Sequence, residues 1–183
     1  MNAPITIIVG LGNPGPEYAH TYHNAGILGL ERLAHILETD PKKPSSASLY
    51  TYRRLGPYIL ITPKTFMNES GEAVRKALLS FKKSPEELLV IHDETDLPLG
   101  AARLDFGRGA AGHRGVHSII ERLGTKDFWR LRLGVRKEAG PSQETGRVKA
   151  GDFVLRKMSK IDETAIYSAF DETIKKLIEN VTP

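Results

Sequence analysis

Histidine, aspartate and asparagine side chains set beside glycine-rich turns carry the chemistry open to this chain. His23 and Asp93 form the pair suited to general-base work: a neutral imidazole takes a proton from water near pH 7, and a carboxylate orients the ring and stabilises its charged form. Amides at Asn13 and Asn68 can donate to a carbonyl oxygen and accept from an amide N–H, which suits a peptide-like group. The chain has no GxSxG segment and no cysteine, so acyl-enzyme, thiolate, disulfide and cysteine–zinc chemistry fall away together. Hydrolysis would use water directly. His20 with His23, and His113 with His117, have spacings compatible with metal ligation, but neither pair has the adjacent Glu of an HExxH motif, and no metal site is expected. Plainer roles stay open for each residue: turn chemistry for Asn13, a strand-end cap for Asp93, a structural ring for a lone histidine, core filling for Phe66 and Met67.

The elements that must position these groups begin with the apolar run Ile5–Val9, which shows no alternation, as expected of a strand covered on both faces. It delivers the chain into GLGNPGPEYAHTYHNAG, residues 10–26. The segment from Gly10 to Gly15 fits GxGxxG, the dinucleotide fingerprint. That fingerprint needs a helix opening at its third glycine, whereas Pro14 and Pro16 flank Gly15 and the helical spacing of Ile27, Leu30, Leu33, Ala34 and Leu37 starts well downstream. A nicotinamide or flavin is therefore not expected. Asp40-Pro41 closes that helix, and residues 42–48 read as a polar loop.

Two strands, Leu49–Leu55 and Tyr58–Thr62, joined at Gly56-Pro57, precede Pro63–Gly71 and a helix marked by Ala73, Val74, Ala77, Leu78 and Phe81. Phe66-Met67-Asn68 thus lies in a strand-to-helix loop that can share a pocket with the Asn13 loop, since ligands in open α/β sheets sit beyond the carboxyl ends of strands. A further strand, Leu88–Ile91, ends in the polar cluster His92–Asp96. A short strand at Ala102–Phe106, a flexible loop at Gly107–Gly115 and a helix at Val116–Leu123 follow. Trp129–Val135 is a strand with Arg130 and Arg132 on one face, Glu138–Gly151 reads as mobile, and Ile166, Phe170, Ile174, Leu177, Ile178 and Val181 mark an amphipathic helix.

With 183 residues and 40% hydrophobic content, one domain with one core is expected. No apolar stretch approaches the ~20 residues of a membrane span, and no secretory signal pattern opens the chain, so a cytoplasmic protein is expected. The net charge of +4 is concentrated. Between residues 100 and 136 stand Arg103, Arg108, Arg114, Arg122, Lys126, Arg130, Arg132 and Arg136, against Asp105, Glu121 and Asp127. Basic residues near glycine loops favour a polyanionic partner; a solvated basic face is the alternative.

Taken together and in order, GLGNPGPEYAHTYHNAG, PKTFMNESG, HDETDLPLG, GHRG and FWRLRLGV resemble the bacterial peptidyl-tRNA hydrolase family, from Ile7 to about Leu155. The resemblance implies a single α/β domain, residues 1–183, with a mixed twisted sheet flanked by helices. It implies hydrolysis of the ester joining a peptide to the 3′ end of tRNA, by a monomer without a cofactor. His23 would activate water, Asp93 would hold it basic, and Asn13 would sit beside the substrate carbonyl. Tyr18, Phe66, Met67 and Asn68 would line the channel for the 3′ end and peptide, with His113, Arg114 and Arg103 among the residues meeting substrate or tRNA, and Arg132 matching a position that meets the 5′ phosphate. Departures are Arg114 where the family usually has Asn, Asp105 where it often has Lys, Tyr22 where Arg is usual, and alanines in GRGAA. A non-catalytic RNA-binding relative, similar to an organellar splicing factor of the same fold, is the competing expectation.

Overall fold

Strands form where apolar residues can be covered on both sides, and here two layers of helix do the covering. The computed structural model describes residues 4–37, 43–137 and 150–179. Its sheet contains β1 (Ile7–Gly10), β2 (Ser45–Ser46), β3 (Tyr50–Leu55), β4 (Tyr58–Pro63), β5 (Leu88–Pro98), β6 (Ala102–Phe106) and β7 (Trp129–Arg136) in the order β2-β3-β4-β1-β5-β7-β6. Strands β4, β1, β5 and β7 run parallel, while β2, β3 and β6 attach antiparallel at the two sides. This is the mixed α/β sheet that was expected.

Successive residues of a strand face opposite sides, and both sides are apolar. Ile8, Leu60, Leu89, Ile91 and Leu131 pack with Leu30, Leu33, Ile166 and Phe170 of helices α1 (Ala25–Leu37) and α5 (Lys160–Glu179). Ile7, Val9, Ile61 and Val90 pack with Val74, Leu78, Val116 and Ile119 of α2 (Ser70–Phe81) and α3 (Arg114–Leu123). A short helix, α4 (Ala150–Phe153), precedes α5.

Several boundaries differ from expectation. Residues 45–46, expected in a loop, form the edge strand β2 by pairing with Tyr52 and Thr51. The cluster His92–Asp96 continues β5 instead of ending it, because β7 pairs His92 with Arg132, Asp93 with Leu133 and Glu94 with Gly134. Helix α3 starts at Arg114 because His113 caps it. The expected mobile stretch lies largely outside the described residues, and its last member, Gly151, belongs to α4; residues 40–41 lie outside as well.

The turn after β1 is locked by one glycine. Leu11 N–H donates to Ile91 O at 3.0 Å and Leu11 O accepts from Ile27 N–H at 3.1 Å. A Cβ on Gly26 would stand 2.3 Å from Ile91 O and 2.6 Å from Leu11 N and O. All of these are backbone atoms, which cannot rotate aside. Gly26→Ala is accordingly expected to cost about 3 kcal/mol, read as a fall in Tm; an unchanged Tm would contradict this close approach.

Candidate active site

The parallel strands deliver the loops after β1 and β4 to one edge of the sheet, where β5 carries Asp93. His23 reaches that edge on a single 3₁₀ turn, Tyr22–Asn24, that runs into α1. The turn is fastened from the other end of the chain. His23 N–H donates to Val154 O at 2.8 Å and Tyr22 N–H to Arg156 O at 3.2 Å, next to a bridge between Thr21 and Lys157. The Tyr22 phenol donates to Asp162 Oδ2 at 2.7 Å, Lys137 pairs with the same oxygen at 2.7 Å, and the Tyr22 ring stacks on Phe153 at 4.5 Å. Burial alone would raise the Asp162 carboxyl, but hydrogen bonds from Lys137 and Tyr22 hold it far below the usual carboxylate range.

Asp93 is 2% exposed and lies between two imidazoles. His23 Nδ1 is 2.9 Å from Oδ1 and 3.1 Å from Oδ2; His113 Nε2 is 2.9 Å from Oδ1. Burial pushes this carboxyl up, but the interactions with His113, and then those with His23, outweigh it and hold Asp93 below the usual carboxylate range. An ionised carboxylate only accepts. The proton of His23 therefore sits on Nδ1, which leaves Nε2 unprotonated. By the same logic His113 carries its proton on Nε2, and its bare Nδ1 accepts from Val116 N–H at 3.3 Å, capping α3. One carboxylate thereby fixes two tautomers.

Asn13 is held as tightly. Its Oδ1 accepts from Met67 N–H at 2.8 Å, while Asn24 Oδ1 accepts from Asn13 N–H at 2.8 Å and Asn24 Nδ2 donates to Asn13 O at 3.0 Å. With its oxygen engaged, Asn13 has Nδ2 left to offer a carbonyl. Asn13, His23, Asp93, Tyr18, Phe66, Met67, Asn68, His113 and Arg114 all line one cleft of about 460 Å³. Tyr18 and Phe66 meet edge to face at 6.2 Å, and Phe66 is 50% exposed. The two loops expected to share a pocket do so.

The remaining basic candidates lie elsewhere. Arg103 is exposed on the edge strand β6 and does not line the cleft. Arg132 is 5% exposed, with its guanidinium bonded to Glu94 at 3.0 Å and Asp105 at 2.9 Å. An arriving phosphate would have to displace a carboxylate to reach it. Arg130 beside it is 2% exposed and anchors the loop below α3 through Gly109 O at 2.8 Å. Burial and the neighbouring Arg132 lower it to about 10, still charged at neutral pH.

Of the histidines weighed as metal ligands, His20, at φ 60°, is engaged by a carboxylate from α5, Glu163, at 2.6 Å. Donor atoms of His23, Asp93 and His113 do lie within 4.8 Å of one another, a set that a divalent cation could bridge, although hydrogen bonds already account for every close contact among them.

His92 lies behind this cluster. It is 1% exposed, its Nδ1 donates to Asp93 O at 2.7 Å, and its Nε2 has no hydrogen-bond partner among the described residues. Burial, above all, holds the ring well below the usual histidine value of 6.5. The unfolded chain binds this proton below pH 6.5 and the folded chain does not, so stability is lost as pH falls through that point, by up to about 1.4 kcal/mol per pH unit. His92→Gln is expected to flatten the fall in Tm between about pH 6.5 and 4.5, above the range of ordinary carboxylates. An unaltered slope would show that His92 is protonated in the folded protein.

Sequence reasoning missed Asn24 as the clamp on Asn13, His113 as the second ring on Asp93, and Val154 and Leu155 as cleft lining. The position of Asn24 next to His23 was its only signal.

The sequence model of the family described as peptidyl-tRNA hydrolase matches residues 7–182. A peptidyl-tRNA hydrolase of Marinobacter nauticus is 40% identical over 181 residues, covering 97% of this chain and 89% of that protein. One from Sorangium cellulosum is 38% identical over 175 residues, 94% of this chain and 77% of that protein. The crystal structure of peptidyl-tRNA hydrolase from Acinetobacter baumannii superposes with a TM-score of 0.78 at 33% identity, over 97% of this chain and 88% of that one. Sequence and fold agree over nearly the whole length, and the chain belongs to the peptidyl-tRNA hydrolase family.

Proposed function

We propose that this chain hydrolyses the ester joining a peptide, or an N-blocked aminoacyl group, to the 3′ end of tRNA, recycling tRNA from prematurely released peptidyl-tRNA. The observation that carries the mechanism is the buried Asp93 carboxylate accepting from His23 Nδ1, which leaves Nε2 as the base. Water gives a proton to Nε2 as its oxygen attacks the ester carbonyl carbon. Asn13 Nδ2, with Asn68 beside it, donates to the developing oxyanion. Collapse expels the ribose oxygen, which recovers the proton from the imidazolium that Asp93 has stabilised. A donor at Asn13 also favours a peptide carbonyl over a free ammonium, which has nothing to accept with.

The protein acts on tRNA as a monomeric single domain, residues 1–183, in the cytoplasm and without a cofactor. Among the described residues no helix is long and apolar enough to cross a membrane. Incubation with N-acetylaminoacyl-tRNA tests the proposal: release of the N-acetylamino acid at a rate that climbs with pH is the expected result. RNA binding with the ester left whole would instead identify a non-catalytic relative.

A further inference from the structure

Two carboxylates and one cation line this cleft. Asp93 and Glu94 both line it, and Asp93 is held ionised by its two imidazoles. The cations nearest in the sheet are committed elsewhere, Arg132 to Glu94 and Asp105 and Arg130 to a loop carbonyl. A second groove, about 250 Å³, shares Asn68, Gly112 and Arg114 with the first and is also lined by Glu121, which forms no ion pair with Arg114. Among the described residues, Arg114 is the one Arg or Lys that lines either opening, and it is exposed. No carboxylate of the described residues forms an ion pair with it.

A single strand whose terminal ester lies at His23 brings its last phosphodiester within one nucleotide of that point. Near Asp93 and Glu94, whose partners are already engaged, such a group finds no free cation; between the grooves an exposed guanidinium offers a planar, two-pronged donor to it. We propose that Arg114 takes the phosphodiester preceding the terminal nucleotide, and thereby sets the salt dependence of substrate binding. This rests on the hydrolase reading above for the identity of the strand. Arg114 is then a specificity-determining residue acting by charge, where an amide at the same position would act by hydrogen bonding alone.

The test uses a fluorescent, unacylated RNA hairpin with a single-stranded 3′ overhang, so that binding is read without ester cleavage. Kd is measured from about 50 to about 200 mM KCl for the unaltered protein, Arg114→Gln, Arg114→Lys and Lys126→Gln, the last removing one charge from an exposed turn outside both grooves. Arg114→Gln should weaken binding about tenfold at the lowest salt and flatten the plot of log Kd against log salt by about 0.7, the value for one single-strand phosphate. Arg114→Lys should keep the slope. An unchanged slope in Arg114→Gln, or an equal flattening in Lys126→Gln, overturns the proposal. A second comparison uses N-acetylaminoacyl esters of adenosine and of a trinucleotide: Arg114→Gln should lose about tenfold more kcat/KM on the trinucleotide ester, and equal losses on both also overturn it. Failure of the unaltered protein to cleave any ester would sink the hydrolase reading and leave the binding slopes as they are.

Discussion

His23→Ala should lower kcat for N-acetylaminoacyl-tRNA by about a hundredfold to ten-thousandfold, the usual worth of a positioned general base, while tRNA binding changes little. The ring lines the cleft and bonds Asp93, which keeps His113 as a partner when the ring is removed, and the turn beneath it is fixed by its backbone N–H on Val154 O, which alanine keeps. Single-turnover kinetics, set beside tRNA binding by anisotropy, reads both quantities. A variant that still turns over at a tenth of the original rate would remove His23 from the role of base.

Asp93→Asn should be nearly as damaging, costing about a hundredfold or more in kcat. Both imidazoles meet Oδ1 at 2.9 Å, and His23 Nδ1 also lies 3.1 Å from Oδ2. An asparagine that keeps its oxygen at Oδ1 turns an NH₂ toward the Nδ1–H of His23, donor against donor. The oxygen at Oδ1 still accepts from both rings, but the clash favours the other tautomer of His23, with the proton on Nε2, and that ring has no lone pair facing the water it should activate. The imidazolium formed in the reaction also loses the charge that stabilises it. KM should stay within a few-fold, since Asp93 is buried behind the rings. Wild-type kcat in a folded Asp93→Asn protein would make the carboxylate a packing group only.

Removing the carboxylate also alters acid stability. Asp93 and Asp162 have folded values depressed below the ordinary range, so each contributes stability above its unfolded pKa and loses it as pH falls below that point. Asp93→Asn should therefore lessen the acid-side loss below about pH 4 while leaving the His92-dependent loss in place.

How much of this was legible in the sequence depended on whether the signal was local. The central strands were, because a strand covered on both faces must be apolar throughout, as Ile7 to Val9 and Leu88 to Ile91 are. The pairing of His23 with Asp93 followed from their chemistry and from placing both at strand ends, although Asp93 lies within β5. The extension of β5 through His92–Asp96 was not legible: polar residues in a row resemble a loop, and only pairing with β7, far along the chain, keeps them extended. The start of α3 was hidden for a similar reason. Gly115 looked like a flexible hinge, whereas a Cβ there would stand 2.4 Å from Met67 Sδ. The glycine lets the helix approach the cleft wall, a requirement of packing that composition does not display. The commitment of Arg132 to Glu94 and Asp105 also needed the fold, because its partners sit on the two strands that flank β7, one on each side.

The backbone tie from the Tyr22–Asn24 turn to Val154 and Arg156 bears on how the molecule comes into being. The imidazole and its anchor are separated by most of the polypeptide, so a chain emerging from the ribosome holds its base on an unfastened turn until the segment before α5 has been made. Activity would then switch on late in biosynthesis, together with completion of the core.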